Sequence, residues 1–165
     1  MTTSTICSRR LLHQRPQAAA ILRGSAEYPE ITGIVQFFQT REGVLVAAEV
    51  FDLPSPGGVC GWPVFAFHIH SGGSCTGHAA DPFAGALTHF NPGNCAHPAH
   101  AGDLPPLFGN GGHAVGLVLT DRFTVREIVG KTVIVHANRD DFTNQPSGDV
   151  GKKIACGPIV ACGVW

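Results

Sequence analysis

Five histidines and an aspartate, His68, His70, His89, His97, His100 and Asp103, fall within residues 65–103 of this 165-residue chain, and His136 follows downstream. Imidazole nitrogens at this density suit a divalent transition metal, copper or zinc above all. His68-Ile69-His70 places two rings at i and i+2. On a strand they share a face, roughly 6.5–7 Å apart along it, and can converge on one ion at about 2 Å from each nitrogen. Alone this is a weak signal, since two surface histidines on a strand are the commoner outcome. His97-x-x-His100-x-x-Asp103 is stronger, because turns at that spacing can fold three donors around one centre. Two histidines, a carboxylate and a fourth ligand suit tetrahedral zinc. His89 carries two ring nitrogens and can serve both metals as an imidazolate.

The elements that must position these residues are short strands. Ala18–Leu22 is a brief apolar run. Residues 31–40 and 44–51 flank Arg41-Glu42-Gly43 and predict a hairpin. Residues 64–70 alternate with period two, carrying His68 and His70 on one face. Residues 116–120, 132–136 and 159–164 complete the set. Residues 71–108 show no strand signal. A compact domain rarely keeps so long a loop unless it binds something. Residues 137–153 form a second irregular stretch. The pattern predicts an all-β sandwich or barrel with two long functional loops. Residues 1–15 are expected to be a flexible tail, and residues 16–165 the folded domain.

Composition narrows the function classes. The formal net charge of −1 and the absence of basic runs argue against nucleic acid. No apolar run approaches the roughly 20 residues that span a bilayer, so no membrane partner is expected. Ser8-Arg9-Arg10-Leu11-Leu12 superficially resembles a twin-arginine signal, but Gln14–Gln17 interrupts the apolar stretch that should follow. The expected location is the cytoplasm. Six cysteines lack any C-x-x-C pair, which leaves disulfides or inert thiols open.

F-H-I-H, H-F-N-P, H-A-G-D-L, V-I-V-H followed by Asp140-Asp141, and G-K-K-I-A-C-G-P-I are similar, in order, to the copper–zinc superoxide dismutase family. The match runs from about Ala18 to the C-terminus. The resemblance implies an eight-stranded Greek-key sandwich or barrel. It makes His68, His70, His89 and His136 the copper ligands, with His89, His97, His100 and Asp103 around zinc. It implies that Asp140 links a copper-ligand histidine to a zinc-ligand histidine, and that Cys75 and Cys156 form a disulfide. It further implies disproportionation of superoxide, a small anionic substrate, to dioxygen and hydrogen peroxide, with His89 exchanging a proton. A homodimer is an admitted assembly.

Two departures concern catalytic speed. Where the family places an arginine three residues before the second disulfide cysteine, this chain has Lys153, and the loop between His136 and Cys156 carries few charges. The rival function is a copper-binding protein that stores, buffers or delivers the metal with little turnover. His13, His78 and His113 are expected on the surface or in turns, and Cys7 as a free thiol. Cys60, Cys95 and Cys162 are unexplained by the motif. A Cys60–Cys95 disulfide and a thiol near the zinc site are both open. Trp62, Trp165 and the phenylalanines are read as packing.

Overall fold

Valine, isoleucine and phenylalanine recur with period two between glycine and proline turns, and the chain folds accordingly. The structure is a computed structural model that describes residues 15–55 and 61–163. It holds eight strands: β1 (Ala18–Gly24), β2 (Thr32–Gln39), β3 (Val44–Phe51), β4 (Val64–His70), β5 (Asp103–Asn110), β6 (His113–Thr120), β7 (Thr132–His136) and β8 (Lys153–Ala161). A 3₁₀ turn at Ala84–Ala86 and one helical turn at Val125–Ile128 are added. All neighbours are antiparallel, and the closed order is β1-β2-β3-β6-β5-β4-β7-β8. Two connections, β3 to β4 and β6 to β7, each pass over two strands, which makes the barrel a Greek key. The eight-stranded all-β architecture agrees with expectation.

The interior is filled by side chains such as Leu22, Val35, Phe37, Phe67, Leu107 and Ile159, all buried. A barrel of eight strands is just wide enough for side chains to fill. The β2–β3 hairpin closes as expected on Gly43, whose φ of 136° only glycine adopts readily.

Four strand assignments need correction. Residues 71–108 do contain a strand: β5 opens at Asp103, a candidate ligand. Pro105 and Pro106 hide it, since proline supplies no ladder N–H. β5 accordingly pairs with β6 only at Gly109–Ala114 and Asn110–His113, and its register on β4 shifts between Phe65 and Phe67. The last strand is Lys153–Ala161 rather than residues 159–164; Lys153, Gly157 and Pro158 break the apolar run. β1 and β6 begin or end a few residues beyond the expected spans. The expected N-terminal tail up to residue 14, with Cys7 and His13, lies outside the described residues, as do Cys60, Val164 and Trp165.

The first long loop is tied down by a disulfide between Cys75 and Cys156, 81 residues apart, beside a small cluster of Phe83, Ala86 and Ile134. Constraining so long a loop in the unfolded chain is worth roughly 4 kcal/mol in the entropic model. Cys75→Ser is therefore expected to lower the unfolding free energy by about that amount. Denaturant titration of oxidised wild type against the variant measures it, and equal midpoints with equal slopes would contradict it.

Candidate metal centre

The ladder registers assemble the site. His68 on β4 sits opposite Asp103 at the start of β5. His70 forms an isolated antiparallel bridge with His89. His136 at the end of β7 pairs with Lys153 at the start of β8. Every candidate ligand is buried, even though imidazole and carboxylate are costly to bury unpaired.

Two groups result, each with its donor atoms within 4.8 Å of one another: His68, His70, His89 and His136, and His89, His97, His100 and Asp103. In the second group, Asp103 Oδ1 lies 2.7 Å from His89 Nδ1, and Asp103 Oδ2 lies 3.0 Å from His97 Nδ1 and 3.3 Å from His100 Nδ1. His100 Nδ1 is 3.4 Å from His89 Nδ1. Four donors at about 2 Å from one tetrahedral ion stand roughly 3.3 Å apart, so these spacings fit zinc. In the first group, His70 Nε2 and His136 Nε2 are 3.2 Å apart. His89 belongs to both groups, and its ring centroid is 4.1 Å from that of His68.

Hydrogen bonds decide which ring nitrogens are bare. Asp140, in the loop after β7, accepts an N–H from His68 Nε2 at Oδ2 and from His97 Nε2 at Oδ1, both at 2.9 Å. That leaves Nδ1 of both rings without a proton. The Leu87 carbonyl accepts from His70 Nδ1 at 2.9 Å, which leaves Nε2 bare. His68 Nδ1, His97 Nδ1 and His89 Nε2 are buried without any hydrogen-bond partner. Buried nitrogens with nothing to bond, each within a group of convergent donors, are what metal ions satisfy.

Electrostatics favours the ligating forms. Burial, reinforced by the neighbouring His89, lowers the pKa of His70 to about 3 despite the opposing Leu87 carbonyl. Burial likewise holds His136 and His68 below the usual imidazole range. For Asp103 burial pulls upward, but the hydrogen bond and charge of His89 win, and its pKa falls to about 2. His68, His70 and His136 are thus neutral and Asp103 charged near pH 7, as ligation requires.

Several supports had no sequence signal. Gln145 clamps the His97 backbone, its Oε1 accepting from N–H at 3.0 Å and its Nε2 donating to the carbonyl at 2.7 Å. Arg122 Nη1 lies within 3.3 Å of the carbonyl oxygens of Pro98, His100 and Asp103, and gathers the loop that carries the second group. Gly148, with φ of 81°, passes so close to Asp140 that a Cβ would collide with its Oδ1. The partners of Gln145 and Arg122 are distant in sequence, so only the fold brings them together.

A cavity of about 350 Å³ opens onto His70, His89 and His136, with Lys153 on its wall. Lys153 does not point freely into it: Nζ donates to Asp81 Oδ2 at 2.8 Å and to the Phe83 carbonyl at 3.1 Å. His78 and His113 are exposed, as expected. His113 stacks on Phe51 and reaches Glu49. Among the described residues Cys95 and Cys162 are free thiols.

Residues 31–159 match a family described as copper/zinc superoxide dismutase. The copper–zinc superoxide dismutase of Photobacterium leiognathi is 33% identical over 141 residues, spanning 77% of this chain and 78% of the relative. That of Legionella pneumophila is 34% identical over 140 residues, spanning 79% of each. The solved structure of the Brucella abortus enzyme superposes with a TM-score of 0.71 over 86% of this chain and 98% of the other, at 23% identity, a likeness of fold.

Leu87 holds the His70 ring from φ 61°, ψ −143°, a region that side chains avoid, while its own side chain is 60% exposed. Such backbone strain costs of order 1–3 kcal/mol, against a smaller entropic penalty for glycine. Leu87→Gly is therefore expected to raise the stability of the metal-free protein by about 1 kcal/mol. Chemical unfolding tests this, and a clear loss of stability would show that the leucine side chain contributes more than the strain removes.

Proposed function

The chain belongs to the copper/zinc superoxide dismutase family, and on that footing we propose that its two buried groups are a copper site and a zinc site sharing one histidine ring. The protein is a superoxide dismutase with copper and zinc as cofactors. Its reaction converts two superoxide anions and two protons to dioxygen and hydrogen peroxide. Copper, when bound, supplies one-electron chemistry between Cu(II) and Cu(I).

The residues supply the rest. His68 Nδ1, His70 Nε2, His89 Nε2 and His136 would hold copper. The Nδ1 atoms of His89, His97 and His100, with Asp103, would hold zinc. The observation that carries this assignment is the set of bare, buried nitrogens His68 Nδ1, His89 Nε2 and His97 Nδ1. Asp140 fixes the tautomers of His68 and His97, so one carboxylate orients a ring in each site. His89 Nε2 faces the cavity group and is the atom at which a proton can be held and passed to a substrate oxygen. Lys153 puts a cation on the cavity wall, although its pairing with Asp81 offsets the pull on a small anion. Its ammonium lacks the planar, two-pronged donor array of guanidinium and orients the anion less well.

A copper store with little turnover is favoured by one observation, the pairing of Lys153 with Asp81. The shared use of His89 favours the enzyme more, since storage needs no second metal on the same ring. The cytoplasmic location and the homodimer stand as proposals from sequence, tested by cell fractionation and sedimentation. Among the described residues no helix is long and apolar enough to cross a membrane.

Metal-loaded wild type is expected to consume superoxide catalytically in stopped flow, and His136→Ala to lose copper and activity together. Full copper retention without turnover would give the storage function precedence. Asp140→Asn is expected to weaken metal affinity about 10–100-fold, measured by chelator competition. Unchanged affinity for both metals would remove Asp140 from the site.

A further inference from the structure

We infer that Asp81 is a fixed counter-ion that cancels the charge of Lys153 at the copper cavity and thereby limits the site's affinity for anions. This rests on the copper site proposed above. Among the described residues that line the cavity, Lys153 is the only charged side chain other than histidine. Its stem starts opposite His136 in the β7–β8 register, so the ammonium is within reach of an anion in the cavity. Yet Lys153 is turned toward the first long loop, its side chain only 14% exposed, and its Nζ is 2.8 Å from the Asp81 carboxylate.

Asp81 is held where it is. Its Oδ1 accepts the Phe83 N–H at 3.0 Å, and its backbone carbonyl accepts the His78 N–H at 2.9 Å. The Cys75–Cys156 disulfide ties the same loop to β8, the strand that carries Lys153. The carboxylate is therefore built to meet the ammonium rather than to collide with it by chance. The adjacent lysine offers no replacement charge, because Lys152 Nζ is 2.9 Å from Glu27 Oε2. The one lysine on this wall is matched by a carboxylate, and an incoming anion meets a nearly neutral wall.

Field focusing at a cleft, described for superoxide dismutase among others, changes on-rates by about 10–10³-fold. A carboxylate in contact with the focusing cation forfeits part of that gain. Asp81→Asn removes the charge and keeps one oxygen for the Phe83 N–H, while an amide NH2 replaces the oxygen that accepted from the ammonium, so the loop keeps its turn and Lys153 is released.

The test is titration of copper–zinc-loaded protein with azide at low ionic strength, followed by the visible absorption of copper, with metal content measured for each sample. Asp81→Asn is expected to bind azide about threefold to tenfold more tightly than wild type and to show a steeper salt dependence. The gain is expected to vanish in the double variant Asp81→Asn/Lys153→Gln, because it acts through Lys153. Equal or weaker azide binding by Asp81→Asn at full copper content overturns the inference alone, as does a gain that persists in the double variant. Failure of wild type to take up copper overturns the proposed site, and the inference with it.

Discussion

A carboxylate with an imidazole N–H at each oxygen lies between the two donor groups, almost fully buried. Asp140 sets the tautomer of His68 in one metal group and of His97 in the other, and so turns a bare nitrogen of each toward its centre. Burial alone would raise the pKa of this carboxyl. The hydrogen bonds from His68, Phe142 and His97 reverse that and keep it ionised. The second long loop is shaped around this need. Phe142 donates its N–H to Oδ1, Gly148 leaves room beside it, and Gln145 pins the His97 backbone.

The barrel provides what the carboxylate cannot, the separation of the two groups. Antiparallel registers place His68 against Asp103 and His136 against Lys153, while a lone bridge brings His89 to His70. A one-residue slip would send each of these side chains to the opposite face. The register is held because β4 and β7 are buried along their whole length. Pro105 and Pro106 cut the pairing of β5 with β6 to two residue pairs and leave an irregularity in its register on β4, away from the His68–Asp103 pair.

How much of this was legible in the sequence follows from distance along the chain. H-x-H and H-x-x-H-x-x-D are local patterns, and all seven candidate ligands came together in two groups. Apolar strands unbroken by glycine or proline, such as β3 and β4, were legible for the same reason. β5 was not, because its prolines conceal the period-two signal, and β8 was misplaced because lysine, glycine and proline interrupt it. Asp81 is 72 residues from Lys153, and Gln145 is 48 from His97. Arg122 acts through backbone carbonyls, which no side-chain pattern announces. The left-handed backbone of Leu87 could not be expected of a leucine at all.

The central claim is that one ring, His89, serves both metals. Loading copper into both sites and recording the electron paramagnetic resonance spectrum tests it most directly, because an imidazolate bridge couples two Cu(II) spins antiferromagnetically. The account predicts that the signal of the dicopper protein collapses on cooling while the copper–zinc protein keeps a full single-copper signal. Two additive, uncoupled copper signals would contradict it.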